Sequence, residues 1–260
     1  KGLKDMDDFD LTPTNNFVAA LWTGYFNGIA KTNQALKALE TAKLDEDLKL
    51  RYQAEVRFFR GYYYFNLVRW FGGVPKVLKV PLDAYEANND PVYQTRATPD
   101  EIYALIIEDL TFAKENLLIK GVMPVGRVTK GTATAMLAKV YLTRKNWQEA
   151  YTLSQEVISS GSYSLLPDYS EIWRQVGDRS NEAIFEVQTG VYNNSDYGVP
   201  NYCVWQGPRV GGLQGWTDLG FGFNSPSQNL VNDYEAGDKR KESTIIFIDQ
   251  SPQHVGTVLF

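Results

Sequence analysis

Residues Ala54 to Pro75 read AEVRFFRGYYYFNLVRWFGGVP, and this stretch decides the fold of the chain. Apolar and aromatic residues recur in it every three or four positions, which is the period of an α-helix. One stripe is Val56, Phe59, Tyr63, Leu67 and Trp70, and a second stripe is Phe58, Tyr62 and Phe65. Helical spacing predicts that these aromatic side chains belong to the core and do not form a platform for stacking ligands. Gly72-Gly73 and then Pro75 end the helix, because glycine adopts the left-handed terminal conformation and proline prevents the helix from resuming.

Helical periodicity also precedes this stretch. Apolar residues repeat at helical spacing from Asn16 to about Leu39, and the second helix begins near Asp45 and reaches Phe71. The connection between them is short, so the sequence predicts an antiparallel helix pair. Asn33 and Asn66 lie inside these helices and are predicted to be buried hydrogen-bonding residues. Arg127, near the start of a later helix, is predicted to pair with a carboxylate.

More helices follow a polar connection. Thr98-Pro99-Asp100-Glu101 combines an N-cap threonine, a proline at the first helical position and a glutamate three residues after the cap. This capping box predicts a helix that continues to about Leu117. Thr129 to Arg144 and Trp147 to Ser159 form a further pair, which matches the small and large positions of a tetratricopeptide unit in part.

The composition changes after Leu165. Ala183 to Gln188 is a short strand candidate, and the region from there to Asn224 is rich in Gly, Asn, Tyr and Trp without helical period. Helical spacing returns from Ser227 to Tyr234. The sequence therefore predicts a mainly α fold: a tetratricopeptide-like scaffold of helical pairs over 1–165, then a loop-rich ligand-binding part over 166–260 with a few short strands, all within one domain.

Composition excludes several function classes. The chain has 260 residues and a net charge of −5, and it contains no dense Lys/Arg run, so no nucleic-acid partner is expected. One cysteine and one histidine leave no internal disulfide and no multi-histidine metal site, although a carboxylate site such as Asp233 to Asp238 stays open. No cofactor or metal is predicted. No apolar run is long enough to span a bilayer, and the acidic start does not read as a secretory signal.

The loop from Thr189 to Phe223 is the best candidate for ligand contact. Its aromatic rings suit the apolar face of a pyranose, and its polar side chains suit ring hydroxyls. The candidate residues are Tyr192, Asn193, Tyr197, Tyr202, Trp205, Arg209 and Trp216. Phe9 and Asp10 of the N-terminal segment are a second candidate. The alternative for both is structural: the aromatics hold a long loop against the scaffold, and the N-terminal segment is a frayed terminus.

In order and spacing, several blocks resemble the SusD/RagB family of surface nutrient-binding lipoproteins of the Bacteroidota. They are the opening stretch, TPDEIYALIIEDLTFAKENL, GRVTKGTATAMLAKVYLTRKNWQEA, VISSGSYSL, NEAIFEV and PSQNLVNDYEAGDKRKEST. The resemblance implies a non-catalytic protein that captures oligosaccharides and passes them to a SusC-like TonB-dependent transporter. It further implies an N-terminal lipid anchor on the outer face of the outer membrane, and a chain truncated at both ends, with that anchor outside it.

Alternatives to glycan capture remain open at this point. A helical-repeat adaptor could bind a peptide or a protein in a concave groove, and a member of the same family could take peptides instead of glycans. An all-helical glycosidase would need only two carboxylates at a suitable separation. No Asp/Glu pair falls in a motif that fixes such a geometry, and Cys203 has no neighbouring histidine to activate it, so an enzyme is not expected.

Overall fold

A computed structural model describes residues 5, 8, 10, 12, 14–192, 195–197, 205–206 and 226–245; for 190–192 and 195–197 it describes the backbone. The chain divides into two compact units, Lys1–Tyr163 and Ser164–Phe260. The first unit is helical. Its helices are α1 (Asn16–Thr41), α2 (Glu46–Phe71), α3 (Ala84–Asn89), α4 (Pro99–Asn116), α5 (Lys130–Thr143) and α6 (Trp147–Ser159). The mainly α prediction is confirmed.

The long helices of the first unit form a chain of neighbours: α1 packs on α2, α2 on α4, α4 on α5 and α5 on α6. The α1–α2 pair is antiparallel, as predicted. The ring of Trp22, early in α1, lies 5.1 Å from that of Phe71 at the end of α2. Farther along α1, a Cβ atom added to Gly28 would lie 2.7 Å from the ring of Tyr63, so the absent side chain allows the two helices to approach closely.

Local signals fix the helix ends within about two residues of their predicted positions. Asp45 accepts hydrogen bonds from the first backbone N–H groups of α2. Gly72 follows the last residue of α2 with φ of 68°, which glycine adopts without steric penalty. Thr98 and Glu101 form the predicted capping box of α4, in which each side chain bonds the backbone of the other.

The packed face of α2 matches the two predicted stripes only in part. One buried face consists of Ala54, Phe58, Gly61, Phe65 and Val68, and Tyr64 and Leu67 are buried as well. A Cβ atom on Gly61 would lie 3.2 Å from Leu110 of α4, so the smallest residue of the face sets the α2–α4 distance. The prediction that Trp70 and Tyr62 are core is wrong, because this closely packed face turns them outward, with exposures of 47% and 39%.

A buried polar network joins three helices of the first unit. The Asp109 carboxylate on α4 is fully buried and accepts from Arg57 Nε at 2.8 Å and from Arg60 Nε at 2.7 Å. Arg60 also donates to Asn33 Oδ1 on α1 at 3.2 Å. Asn33 Nδ2 in turn donates to the Val77 carbonyl at 3.0 Å, which ties the connection after α2 to the helices. Asn33 is therefore a buried hydrogen-bonding residue, as predicted.

The second unit is mostly irregular where the structure describes it. It contains two 3-10 turns, Tyr169–Trp173 and Gln175–Gly177, and two short helices, α7 (Gln228–Asp233) and α8 (Arg240–Thr244). Strands β1 (Gly190–Tyr192) and β2 (Ser195–Tyr197) pair antiparallel, with Tyr192 opposite Ser195 and Gly190 opposite Tyr197.

The predicted strand over Ala183 to Gln188 is wrong, because these residues have no strand structure. Carboxylates within and just before this segment bond to the backbone of other segments. Glu182 accepts from the N–H of Leu166, and Glu186 accepts from the N–H of Arg179, each at 2.8 Å. A strand needs backbone-to-backbone bonds to a neighbouring strand, whereas these two contacts run from backbone to side chain.

Candidate functional sites

The predicted ligand loop is described at a few positions. Trp205 and Gln206 are both exposed, with 49% of Trp205 accessible. The backbones of Tyr192 and Tyr197 lie in the β1–β2 hairpin. Asn193, Tyr202, Arg209 and Trp216 lie outside the described residues. An exposed indole beside an exposed amide is a suitable pair for a sugar, since the ring covers the apolar face and the amide bonds hydroxyls.

The N-terminal candidate is described at Asp10, and Phe9 lies outside the described residues. Asp10 is exposed, and its backbone N–H donates to the carbonyl of Asp5 at 2.9 Å. Its carboxylate is therefore accessible to solvent and to a ligand.

A groove of about 320 Å³ lies in the first unit between α1 and the connection that follows α2. Trp22 and Phe26 of α1 form part of its wall, with ring centres 4.8 Å apart. Its polar contributors include Gln34, Lys79 and Tyr93. The Tyr93 hydroxyl is buried in the described structure without a hydrogen-bond partner. The groove is thus mainly apolar, with polar groups at a few points, as is common for small-molecule sites.

Ion pairs hold the outer wall of this groove. Lys79 Nζ lies 2.7 Å from Asp90 and 2.5 Å from Glu86. The hydrogen bonds to Asp90 and then to Glu86 raise the pKa of Lys79, and the same bonds lower the pKa of both carboxyls. Both acids come from α3 or its end, so the pairs tie this short helix to Lys79, which lines the groove. The sequence did not predict α3, whose main signal is the single cap at Asp83.

A second pocket, of about 470 Å³, lies at the other end of the α1–α2 pair. Arg127 donates to Glu55 Oε2 there at 2.7 Å, which confirms the predicted carboxylate partner, and this bond raises the pKa of Arg127. The guanidinium also lies 5.2 Å from the centre of the Tyr52 ring. Glu55 is buried, and its Oε1 has no hydrogen-bond partner among the residues that the structure describes. The pair joins the segment just before α5 to α2, and this arrangement favours a structural role.

The described residues contain neither a metal-binding cluster nor a membrane-spanning helix. No cluster of three or more His, Cys, Asp or Glu side chains in that part of the chain could hold a metal ion. Among its helices, none combines the length and the apolar character that a membrane span requires.

Comparison with known proteins decides the family. Residues 4–142 match the SusD-like family model described as "Starch-binding associating with outer membrane". The chain belongs to the SusD-like family. Among curated SusD-like relatives, SusD-like protein P2 of Formosa agariphila is 29% identical over 246 residues, which are 92% of this chain and 47% of that protein.

Solved SusD-like structures agree with this assignment. A SusD superfamily protein from Parabacteroides distasonis superposes with a TM-score of 0.74 at 32% identity, over 92% of this chain and 50% of that one. A laminarin-binding SusD-like protein superposes with a TM-score of 0.64 at 31% identity, over 71% of this chain and 40% of that one. The chain spans about half the length of the SusD-like proteins it matches.

Proposed function

We propose that this SusD-like protein captures oligosaccharides at the cell surface and delivers them to a SusC-like TonB-dependent transporter in the outer membrane. The family match over residues 4–142, with its starch-binding and outer-membrane description, is the observation that carries the proposal. The laminarin-binding relative supports the same ligand class. A lipid anchor holds the protein on the extracellular face, and the protein binds its ligand without cleaving it.

The ligand site in this proposal is the loop-rich part, 166–260, and within it the segment from Thr189 to Phe223. The exposure of Trp205 next to Gln206 supports this choice. An aromatic side chain that is half accessible without a ligand can cover a sugar face without unfolding its surroundings. Tyr192, Tyr197 and Trp216 are proposed to complete the aromatic surface.

Binding is tested on the full-length mature protein with starch and laminarin as probes, by affinity electrophoresis and calorimetry. Trp205→Ala is expected to weaken binding about tenfold, because 1.4 kcal/mol is a factor of ten and the loss of a buried aromatic contact costs about that much. Trp173→Ala is the matched control, since Trp173 is 60% exposed in the same unit. Unchanged affinity in Trp205→Ala would remove this tryptophan from the site.

Analysis of the sugars after the same titrations tests the proposal that the protein does not cleave its ligand. The oligosaccharide probe is expected to be recovered intact after prolonged incubation, and released shorter sugars would point to a glycosidase. A peptide library run in parallel tests the alternative ligand class. Saturable peptide binding with no response to either polysaccharide would replace the glycan with a peptide.

Delivery and location are tested in cells. Protease added to intact cells is expected to digest the protein, because the proposed position is extracellular, and the transporter is expected to co-purify with it from detergent-solubilised membranes. Deletion is expected to reduce uptake of a fluorescent oligosaccharide. Full protection from external protease would contradict the surface location.

A further inference from the structure

We propose that three aromatic residues on the outer surface of α1 and α2 form a second contact surface for a neutral glycan chain. We call these residues, Tyr25, Tyr62 and Trp70, the aromatic patch. The ligand class rests on the proposed function, but the location is new, since the patch lies in the helical scaffold and not in the loop-rich part.

The patch is continuous across the two helices. Trp70 lies on the last turn of α2, and Tyr62 is eight residues before it, which is about 12 Å along the helix axis at 1.5 Å per residue. Tyr25 of α1 lies between them. Its ring centre is 5.3 Å from that of Trp70 in an edge-to-face arrangement, and its hydroxyl hydrogen-bonds Tyr62. One extended chain of sugar rings could therefore contact both Tyr62 and Trp70.

The chemistry of the patch fits a neutral ligand. Its polar groups are two phenol hydroxyls and one indole N–H, which can bond sugar hydroxyls. A neighbouring cation is Arg69, and its guanidinium is directed back to α2. Its Nη2 donates to Asn66 Oδ1 at 2.6 Å, and the group lies 4.4 Å from the centre of the Phe65 ring. The positive charge is thus held beside α2, and the outer surface presents rings and hydroxyls.

The patch is ordered before any ligand arrives. Trp70 is fixed by the end of α2, where the Gly72 N–H donates to the Val68 carbonyl at 3.0 Å. Tyr25 contacts Tyr63 as well as Trp70, with ring centres 5.9 Å apart in the first pair. Binding therefore orders few additional side chains, which lowers its entropic cost.

The surface continues along α1 towards its N-terminus. Leu21 and Phe17 precede Tyr25 at intervals of four residues, and they are 36% and 43% exposed. Residues at this spacing share one helix face. The exposed face thus leads from Trp70 towards the segment that contains Asp10, which the sequence predicts to contact ligand.

The experiment compares single variants of the full-length protein in titrations with laminarin and with laminari-oligosaccharides of increasing length. Trp70→Ala is expected to weaken binding of the long chains about fivefold and of the shortest ones little, because only a chain of several sugar rings covers the distance of about 12 Å between Tyr62 and Trp70. Trp70→Phe is expected to restore most of the affinity, since it keeps an aromatic ring. Tyr62→Ser, which removes the ring, provides a second test at the other end of the patch.

Trp147→Ala is the matched control, because Trp147 is 61% exposed on α6 of the same unit. Its affinity for glycans is expected to equal that of the wild type. If Trp205→Ala loses affinity while Trp70→Ala and Tyr62→Ser bind as the wild type does, the aromatic patch is not a glycan surface and only this inference fails. If the two patch variants instead lose co-purification of the transporter, the patch binds protein. If the wild type binds no polysaccharide at all, the proposed function fails as well.

Discussion

Removal of the Asp109 carboxylate should be among the most damaging single changes in the helical unit. Asp109 has no exposed surface and accepts three hydrogen bonds from two arginines, at 2.8 Å from Arg57 and at 2.7 and 2.8 Å from Arg60. Arg60 is itself buried, with 6% of its surface exposed. Asp109→Ala would leave its guanidinium in the interior without a counterion.

The expected cost follows from that burial. Loss of one partner from a buried ion pair typically costs about 3–5 kcal/mol, because the remaining charge stays desolvated and unpaired. A domain has a total stability of about 5–15 kcal/mol, so the loss takes a large share of it. Arg57 keeps a second partner, Glu108, but this does not reduce the cost much. Glu108 is largely exposed and cannot replace Asp109 as the buried counterion of Arg60.

Urea unfolding, monitored by far-ultraviolet circular dichroism, measures this loss of stability. Asp100→Ala is the matched control, because Asp100 also pairs with an arginine, Arg144, at 2.9 Å but has a side chain that is 86% exposed. An exposed pair contributes at most about 1 kcal/mol. The two variants should therefore differ by about 3 kcal/mol in the free energy of unfolding. Equal values would show that burial of Asp109 does not decide its contribution, and the reasoning would be refuted.

Three other changes test the packing, the caps and the pH dependence of the same unit. Gly61→Val should destabilise the fold by about 1–3 kcal/mol, because Leu110 is already 3.2 Å from the position of a Cβ atom. Gly24→Ala should stabilise it by about 0.5–1 kcal/mol, because outside the backbone of its own helix no atom of the described residues lies within 4 Å of the added Cβ atom. Thermal melts of both variants decide between these signs. Thr98→Ala should cost about 0.5–2 kcal/mol through loss of the α4 cap, and a urea midpoint equal to that of the wild type would contradict this. Burial raises the pKa of Tyr64 far above its ordinary value of 10.0, so the unfolded chain loses this proton at a lower pH than the folded chain does. The free energy of unfolding should therefore fall as the pH rises above about 10, and Tyr64→Phe should make this fall less steep. An unchanged slope of the free energy of unfolding against pH from about pH 9 to 11 would argue against it.

Sequence reasoning predicted the helix ends because their signals are local. Asp45 and Thr98 cap the helices that follow them, and Gly72 ends α2, each through residues within a few positions. It predicted the buried role of Asn33 and the carboxylate partner of Arg127 in kind, although the residues they bond, Arg60 and Glu55, lie far along the chain. Those partners depend on which helices meet, and periodicity does not carry that information.

The exposure of Trp70 shows the limit of periodicity most clearly. Almost every turn of α2 carries an aromatic residue, so any of several stripes could be the packed face. The structure selects the face that contains Ala54 and Gly61, because small side chains allow another helix to approach. A search for the smallest residues of the helix, in place of the largest, would have found this face and left Trp70 outside it.

The predicted ligand site remains mostly a prediction. Trp205 and Asp10 are exposed, as a ligand-contacting residue must be, and the backbones of Tyr192 and Tyr197 lie in a hairpin. The groove beside Trp22 was not predicted, because α1 and the connection after α2 each supply one wall and neither wall carries a motif. A run of loop aromatics is visible in a sequence, whereas a groove between distant segments is not.

The Asp109 network also has a consequence for the order in which the chain folds. The contacts of the first unit lie mostly between helices that are neighbours along the chain, and such local topologies fold quickly. Asp109 is synthesised 49 residues after Arg60 and 52 after Arg57. Until α4 emerges, the α1–α2 hairpin carries two arginines without their counterion and cannot close its interior around them. Docking of α4 should therefore be the step that commits the unit to its folded state, and the hairpin alone should remain loose.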